Sequence, residues 1–164
     1  MTLEPQELAT ILACEFAGLF LNAGSRSIYP FESVYTSGQR LIMQAARDRV
    51  RTEYQQAGLQ RSSEFKEPED HIAVELDFMF FLCSLAFTSI AEVDVPATLR
   101  HLARQQDFLH QHLLPWVPSF CSDLEKAATN DFYRGLARMT AEFLGTEEET
   151  LQTLVAEVKE EDNQ

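Results

Sequence analysis

Residues 67–90 read EPEDHIAVELDFMFFLCSLAFTSI, a start rich in carboxylates that leads into the most apolar run of the chain. Pro68 is acceptable in a first helical turn because its missing N–H would be unpaired there, and carboxylates suit the positive end of the helix dipole. The stretch therefore predicts a helix over about 68–89. From Phe78 to Phe87 this helix is apolar on nearly every side, which is typical of a buried, central helix.

Helical spacing of apolar residues, at i, i+3, i+4 and i+7, also dominates the rest of the chain. It predicts further helices over about 8–22, 39–56, 94–114, 116–128, 130–144 and 146–158. Gly145 and the following Thr-Glu-Glu-Glu predict a helix end and a capping box for the last of these. We therefore expect an all-α fold, a single-domain helical bundle of about seven helices over residues 1–164, with an acidic C-terminus that frays from about residue 159.

Composition and charge narrow the class of protein. Twelve Phe and 45% hydrophobic residues are more than a disordered chain carries, while six Gly and six Pro are too few for a sandwich of short strands. The net charge of −13 disfavours nucleic acid as a partner, because nucleic-acid binding needs a basic surface. The first residues are acidic and show no signal-peptide pattern, and Glu75 and Asp77 interrupt the longest apolar run. We expect a cytoplasmic protein without stable membrane insertion.

No pattern of residues predicts catalysis. Cys14, Cys83 and Cys121 are far apart and form no CxxC pair, so neither a zinc knuckle nor a redox dithiol is supported. The best metal candidate is the pair of His71 and Glu75, spaced i, i+4, but no Glu precedes a His by three residues as a helical di-iron site requires. No GxSxG motif and no phosphate-binding loop occur. We expect no enzyme, no metal and no cofactor.

A concentration of acids and aromatic rings indicates a binding protein instead. Residues 62–77 contain six carboxylates against one lysine, more than helix capping needs, although solvated helix surface accounts for part of the surplus. The connection over residues 26–38 is predicted to lack secondary structure, and a connection this long inside a compact domain is often functional. The aromatic rings of this connection either bind a partner or pack into the core. It carries three aromatic residues and one carboxylate: Tyr29, Phe31, Glu32 and Tyr35.

Three segments together resemble the TorD/DmsD family of redox-enzyme maturation chaperones. They are YPFESVY at residues 29–35, EPEDH at 67–71 with Glu75 and Phe78 following, and FLHQHLLPWVPSF at 108–120. Their order and spacing agree with the family from residue 8 to about 144. The combination is specific, whereas any single segment would be weak. The chain is shorter than many family members, and its loop has Phe where a second Tyr is common.

The resemblance implies a cytoplasmic chaperone that binds the twin-arginine leader, and often the unfinished body, of a molybdopterin-containing oxidoreductase. It would hold this catalytic subunit until the cofactor is inserted and prevent premature export, as a monomer or homodimer. Carboxylates bind guanidinium groups in bidentate fashion, and an aromatic groove suits the apolar stretch of a leader. The expected leader-binding residues are Tyr29, Phe31, Glu32, Tyr35, Glu67, Asp70, His71, Glu75 and Phe78.

Two other functions stay open at this point. A helical adaptor without an export role would dock a partner on the acidic segment 146–162. A nucleotide sensor is the weaker alternative because the chain has no phosphate cradle. The role of His71 is open as well, since the residue suits a helix cap, a contact in a groove or, less well, a metal ligand.

Overall fold

The computed structural model describes residues 4–23, 27–60, 62 and 64–162. Over these ranges the chain forms helices and no β-strand, which confirms the predicted all-α fold. The elements are α1 (Pro5–Phe20), α2 (Glu32–Thr36), α3 (Ala45–Gln56), α4 (Ile72–Ala91), α5 (Val95–Phe108), a π-helical turn (Leu109–Leu113), α6 (Val117–Ala127) and α7 (Asp131–Asp162).

The core forms where α4, α5, α6 and α7 meet. Helix α4 packs against α5, which also contacts α7, and α6 lies along α7. Leu82 of α4, Leu102 of α5 and Trp116 before α6 are completely or almost completely buried. By length and composition alone α4 would suffice to cross a membrane, but this is weak evidence because the core helix of a soluble protein passes the same test.

Helix α4 begins at Ile72 rather than at Pro68, so the predicted start was wrong. Residues 68–71 form a turn instead, in which the His71 N–H donates to the Pro68 carbonyl at 3.2 Å. His71 is the N-cap, and its Nδ1 accepts a hydrogen bond from the Ala73 N–H at 3.1 Å. The helix cannot start earlier because residues 70–72 pair with the loop at 30–32 through their backbone.

The connection after α1 contains a helix that the sequence did not predict. Helix α2 is little more than one turn, and its first three residues are buried. Helix α3 then begins at Ala45 rather than near residue 39. The delay has a local cause, since Gly38, Arg40 and Met43 have φ of 69°, 54° and 60°, and a helix cannot pass through left-handed residues. Residues 22–25 read Asn-Ala-Gly-Ser, a composition that predicts the end of the first helix, and Gly24 lies outside the described residues.

The last two predicted helices form one continuous helix, α7. The predicted end at Gly145 was therefore wrong, and the Thr146 hydroxyl donates to the carbonyl of Glu142 at 3.0 Å instead of capping a new helix. Continuity keeps Leu144 and Leu151 on one buried face across the glycine. This burial outweighs the cost of about 1 kcal/mol for glycine in a helix interior. The fraying of the acidic end stays a prediction.

Other predicted boundaries agree with the structure. The carboxylate of Asp94 caps α5 by accepting from the Ala97 N–H at 2.9 Å. Helix α5 continues into the π-helical turn, which ends at Leu113, two residues before Pro115. Helix α6 starts at Val117, one residue after the predicted start at 116.

Candidate functional site

The loop at residues 28–36 and the start of α4 are held together by their backbones. Phe31 pairs with His71 in an isolated antiparallel bridge, and the two rings lie 5.1 Å apart. Next to this bridge the N–H of Glu32 donates to the carbonyl of Asp70 at 2.9 Å. Two of the three segments that carry the resemblance are therefore in direct contact.

Asp70 supplies the cap of the short helix α2. Its Oδ2 accepts hydrogen bonds from the Ser33 N–H, at 2.9 Å, and from the Ser33 hydroxyl. Ser33 is the second residue of α2, and the N-cap Phe31 has no side-chain acceptor of its own. Asp70 thus makes the bond that a local N-cap side chain usually makes. Asp70 is completely buried, so this carboxylate stabilises the protein interior and is not available on the surface.

The third segment, residues 108–120, completes the same assembly. The π-helical turn carries His112, whose Nδ1 lies 2.9 Å from Oε2 of Glu32. The indole N–H of Trp116 donates to Oε2 of Glu75 at 3.0 Å. All four side chains are buried, and π-helical turns often occur at functional sites. The buried polar cluster, as we name it, consists of Glu32, Ser33, Asp70, Glu75, His112 and Trp116.

The environment of the cluster favours the protonated form of Glu75. Burial raises the pKa of this carboxyl well above 4.5, the charges of Glu32 and Asp70 raise it further, and the hydrogen bond from Trp116 lowers it. Within the described residues, Oε1 of Glu75 and Oδ1 of Asp70 are buried without a hydrogen-bond partner. A proton on Glu75 removes one negative charge from a cluster that already holds two other carboxyl groups.

The nine residues predicted to bind a leader differ widely in exposure. Five are in the interior: Phe31, Glu32, Asp70, Glu75 and Phe78. Two are half-buried: Tyr35 and His71. Two are exposed: Tyr29 and Glu67. The predicted set therefore comprises a rim, consisting of exposed Tyr29 and Glu67 with half-buried His71, and a buried support of five interior side chains, while half-buried Tyr35 belongs to neither.

Helix α3 contributes cations that the sequence did not connect with this site. Nη2 of Arg49 lies 3.3 Å from Oε1 of Glu32, and Nε of Arg47 lies 2.5 Å from Oε2 of Glu69. Part of the acidic surplus is thus matched by arginines of the same chain. No local spacing could have revealed these pairs, because the partners are 17 and 22 residues apart.

Metal binding finds no support in the described part of the chain. Within residues 4–23, 27–60, 62 and 64–162, no group of three or more His, Cys, Asp or Glu side chains is arranged to hold a metal ion. His71 uses Nδ1 to cap α4, and Glu75 points into the core. The geometry thus favours the capping role among those considered for His71.

Comparison with known proteins places the chain in a family. The family model described as nitrate reductase delta subunit matches residues 2–122. A protein of Vibrio cholerae named chaperone protein TorD is 31% identical over 153 residues, which cover 93% of this chain and 67% of that protein. The TorD chaperone of Photobacterium profundum is 30% identical over 143 residues, covering 87% and 65%. That of Shewanella pealeana is 29% identical over 149 residues, covering 87% and 61%.

The chain spans about two thirds of the length of these relatives. No solved structure matches it significantly. The relatives are named as chaperones, which confirms the prediction of a chaperone rather than an enzyme. With a family model matching most of its residues and relatives about 30% identical along most of its length, the chain belongs to the TorD-like family of redox-enzyme maturation chaperones that the nitrate reductase delta subunit model describes.

Proposed function

We propose that this protein is a cytoplasmic chaperone that binds the twin-arginine leader, and the unfinished body, of a molybdopterin-containing oxidoreductase. It holds this catalytic subunit until the cofactor has been inserted and so prevents premature export. Membership in a family of maturation chaperones supports the general class of function. To this general class the proposal adds that the protein binds the leader, that its client is a molybdopterin-containing oxidoreductase, and that it acts until the cofactor has been inserted.

The observation that carries the proposal is the union of the aromatic loop with the acidic start of α4. Tyr29, which is 41% exposed, precedes Phe31 by two residues, and Glu67 precedes His71 by four, so the antiparallel bridge places them on its opposite sides. Beneath the bridge, Asp70 fixes α2 through Ser33. A rim held in this way is preorganised, which lowers the entropy cost of binding a flexible peptide.

Each residue of the rim offers a different contact to a twin-arginine peptide. The carboxylate of Glu67 suits a guanidinium group, which it can bind through two parallel hydrogen bonds. The ring of Tyr29 offers a face on which an arginine stacks. Burial lowers the pKa of His71, and a neutral imidazole that accepts at Nδ1 carries its proton on Nε2, so it can donate to a peptide carbonyl.

Calorimetric titration with synthetic leaders tests the proposal. Suitable leaders come from trimethylamine oxide, dimethyl sulfoxide, formate, nitrate and selenate-type oxidoreductases, each beside a version with both arginines replaced by lysine. We expect at least one leader to bind, and its affinity to fall with the lysine version and with Glu67→Gln. Glu157→Gln, which removes an exposed carboxylate from α7, is the matched control. Failure of every leader to bind would contradict the proposal.

A helical adaptor remains the second candidate, favoured by the exposed acidic end of α7. Deleting this segment would not give a clean test, because Leu151 is buried in the core. Replacing exposed acids by glutamine avoids that problem, and suitable positions are Glu149, Glu157, Glu160 and Glu161. Leader binding that survives in this variant, together with loss of binding to another partner protein, would favour the adaptor.

A further inference from the structure

An open groove runs along the outer face of α4, next to the rim. Its volume is about 640 Å³. Ala73, Phe80 and Ser84 form the wall on α4. Leu59 and Phe65, from the segment between α3 and α4, form the opposite wall. We name this feature the α4 groove.

The α4 groove has the dimensions of a helix-binding site. From Ala73 to Ser84 the helix advances roughly 16 Å, at 1.5 Å per residue, which is the length of about three helical turns. Phe78 and Tyr54 lie at the base and belong to the core. Phe80 is 70% exposed. Its ring protrudes from the wall between the small side chains of Ala73 and Ser84, which leave room on either side of it. An apolar helix packs well on such a surface.

The charges along the groove are mostly negative. Asp77 lines it and is exposed, and Glu64 and Glu67 are exposed beside Phe65. Among the described residues from 62 to 77, Lys66 is the one cation. These acids lie toward the N-terminal end of α4, whereas the exposed part of the groove beyond Phe80 carries no charge in its lining. Among the described residues, Asp77 is thus the one charged side chain in the lining, Glu64 and Glu67 flank the groove before α4, and the lining beyond Phe80 is uncharged.

We infer that the α4 groove binds the apolar, helix-forming stretch that follows the two arginines of a leader. The arginines lie at the acidic end, near Asp77 and Glu67, and the apolar stretch continues along Phe80 to Ser84. A cationic end followed by an apolar helical stretch matches this surface in the order of its charge. This inference rests on the proposed function and assigns a different place to the apolar stretch.

The aromatic groove predicted from the sequence does not offer this surface. Phe31 is 7% exposed, and Phe78, which is 3% exposed, contributes only to the base of the α4 groove. Tyr35 packs against Trp116, with ring centroids 5.7 Å apart. The exposed ring nearest to the rim on α4 is that of Phe80, which no sequence motif singled out.

The test compares two exposed phenylalanines of α4, one inside the α4 groove and one outside it. Phe80 and Phe87 are 70% and 74% exposed, but only Phe80 lines the groove. The probe is a fluorescent synthetic peptide with two arginines followed by three turns of Leu and Ala. We expect Phe80→Ser, and Ser84→Trp, which fills the groove, to weaken binding by about tenfold or more. Phe87→Ser should leave the affinity within about twofold.

The possible results separate this inference from the proposed function. If the wild-type protein binds the peptide and Phe80→Ser does not weaken binding more than Phe87→Ser, the groove is not the site, while leader binding stands. If the wild-type protein binds no twin-arginine peptide, both proposals fail. Sedimentation without peptide tests a second copy of the chain as occupant, and a dimer that Phe80→Ser dissociates would overturn the inference.

Discussion

The indole N–H of Trp116 donates to the carboxyl group of Glu75 at 3.0 Å, and neither side chain is exposed to solvent. The bond connects the first turn of α4 with the N-cap of α6. A carboxyl group in the most apolar helix of the chain is costly unless it is hydrogen-bonded. The bond therefore fixes how α4 and α6 meet, directly beneath the rim.

Glu75→Gln should stabilise the protein increasingly as the pH rises. The raised pKa means that the folded state holds the Glu75 proton more tightly than the unfolded state. The contribution of this proton to the stability of the wild type is therefore complete below about pH 4.5 and is lost as the pH rises through the folded-state pKa. Glutamine does not ionise and still offers an oxygen to Trp116. We expect the difference in unfolding free energy between variant and wild type to grow above pH 4.5, measured by urea denaturation.

A difference that does not vary with pH would contradict this account of Glu75. Glu75→Ala is the control, because it removes both the charge and the acceptor. It leaves the buried Trp116 N–H unpaired, and we expect it to be about 1–3 kcal/mol less stable than the glutamine variant.

His112→Ala should destabilise the fold by about 1–3 kcal/mol, because Glu32 loses a hydrogen-bond partner whose Nδ1 lies 2.9 Å away in a buried site. His112→Asn retains an N–H close to the position of Nδ1 and should recover part of the loss. His110, which is exposed and lies 3.5 Å from Glu148, provides a control, since its replacement by Ala should cost less than about 1 kcal/mol. Equal losses for His112→Ala and His110→Ala in urea denaturation would show that the contact with Glu32 contributes little.

His71 should make the stability sensitive to acid. Burial lowers its pKa below 6.5, against the opposing charges of Glu67 and Asp70. The cap is therefore fully present above about pH 6.5 and is lost as the pH falls through the folded-state pKa, because a protonated Nδ1 cannot accept from Ala73. His71→Asn keeps a capping oxygen without titrating, so we expect wild type to lose stability relative to this variant below pH 6.5.

The size of the capping effect is a separate measurement. At a pH above 6.5, His71→Ala should cost about 1 kcal/mol, which is typical for the loss of an N-cap acceptor. Thermal denaturation of the wild type and both variants gives this comparison. If the asparagine and alanine variants are equally stable, the side chain of His71 does not cap α4.

Gly145→Ala should raise stability by about 0.5–1 kcal/mol. Gly145 lies inside α7, and no atom outside its own helix lies within 4 Å of the position that a Cβ would take. Alanine there loses less backbone entropy on folding than glycine does. Gly58, with φ of 73°, is the matched control, and Gly58→Ala should destabilise. If Gly145→Ala destabilised the protein, the helix would end at residue 145 as the sequence suggested.

Local signals identified most helices because their causes are local. The apolar run of α4, the Asp94 cap of α5 and Pro115 after the π-helical turn each act on residues within a turn or two. The same signals were wrong at Gly145 and in the loop that contains α2. In both places a contact from elsewhere decides the structure, namely burial of the α7 face and the cap that Asp70 supplies.

The sequence by itself determined the all-α class and the three segments that meet at the site. The expectation that α4 is buried on every side was wrong, because Phe80 and Phe87 are 70% and 74% exposed. Only the tertiary structure decided which acids face solvent and which face one another. Asp70 and Ser33 are 37 residues apart, Glu75 and Trp116 are 41, and Glu32 and His112 are 80. Burial and partner choice depend on such distant contacts, whereas helical periodicity and capping depend on neighbours. For that reason Glu67 and Glu75 look alike in the sequence, yet one lies on the rim and the other in the core.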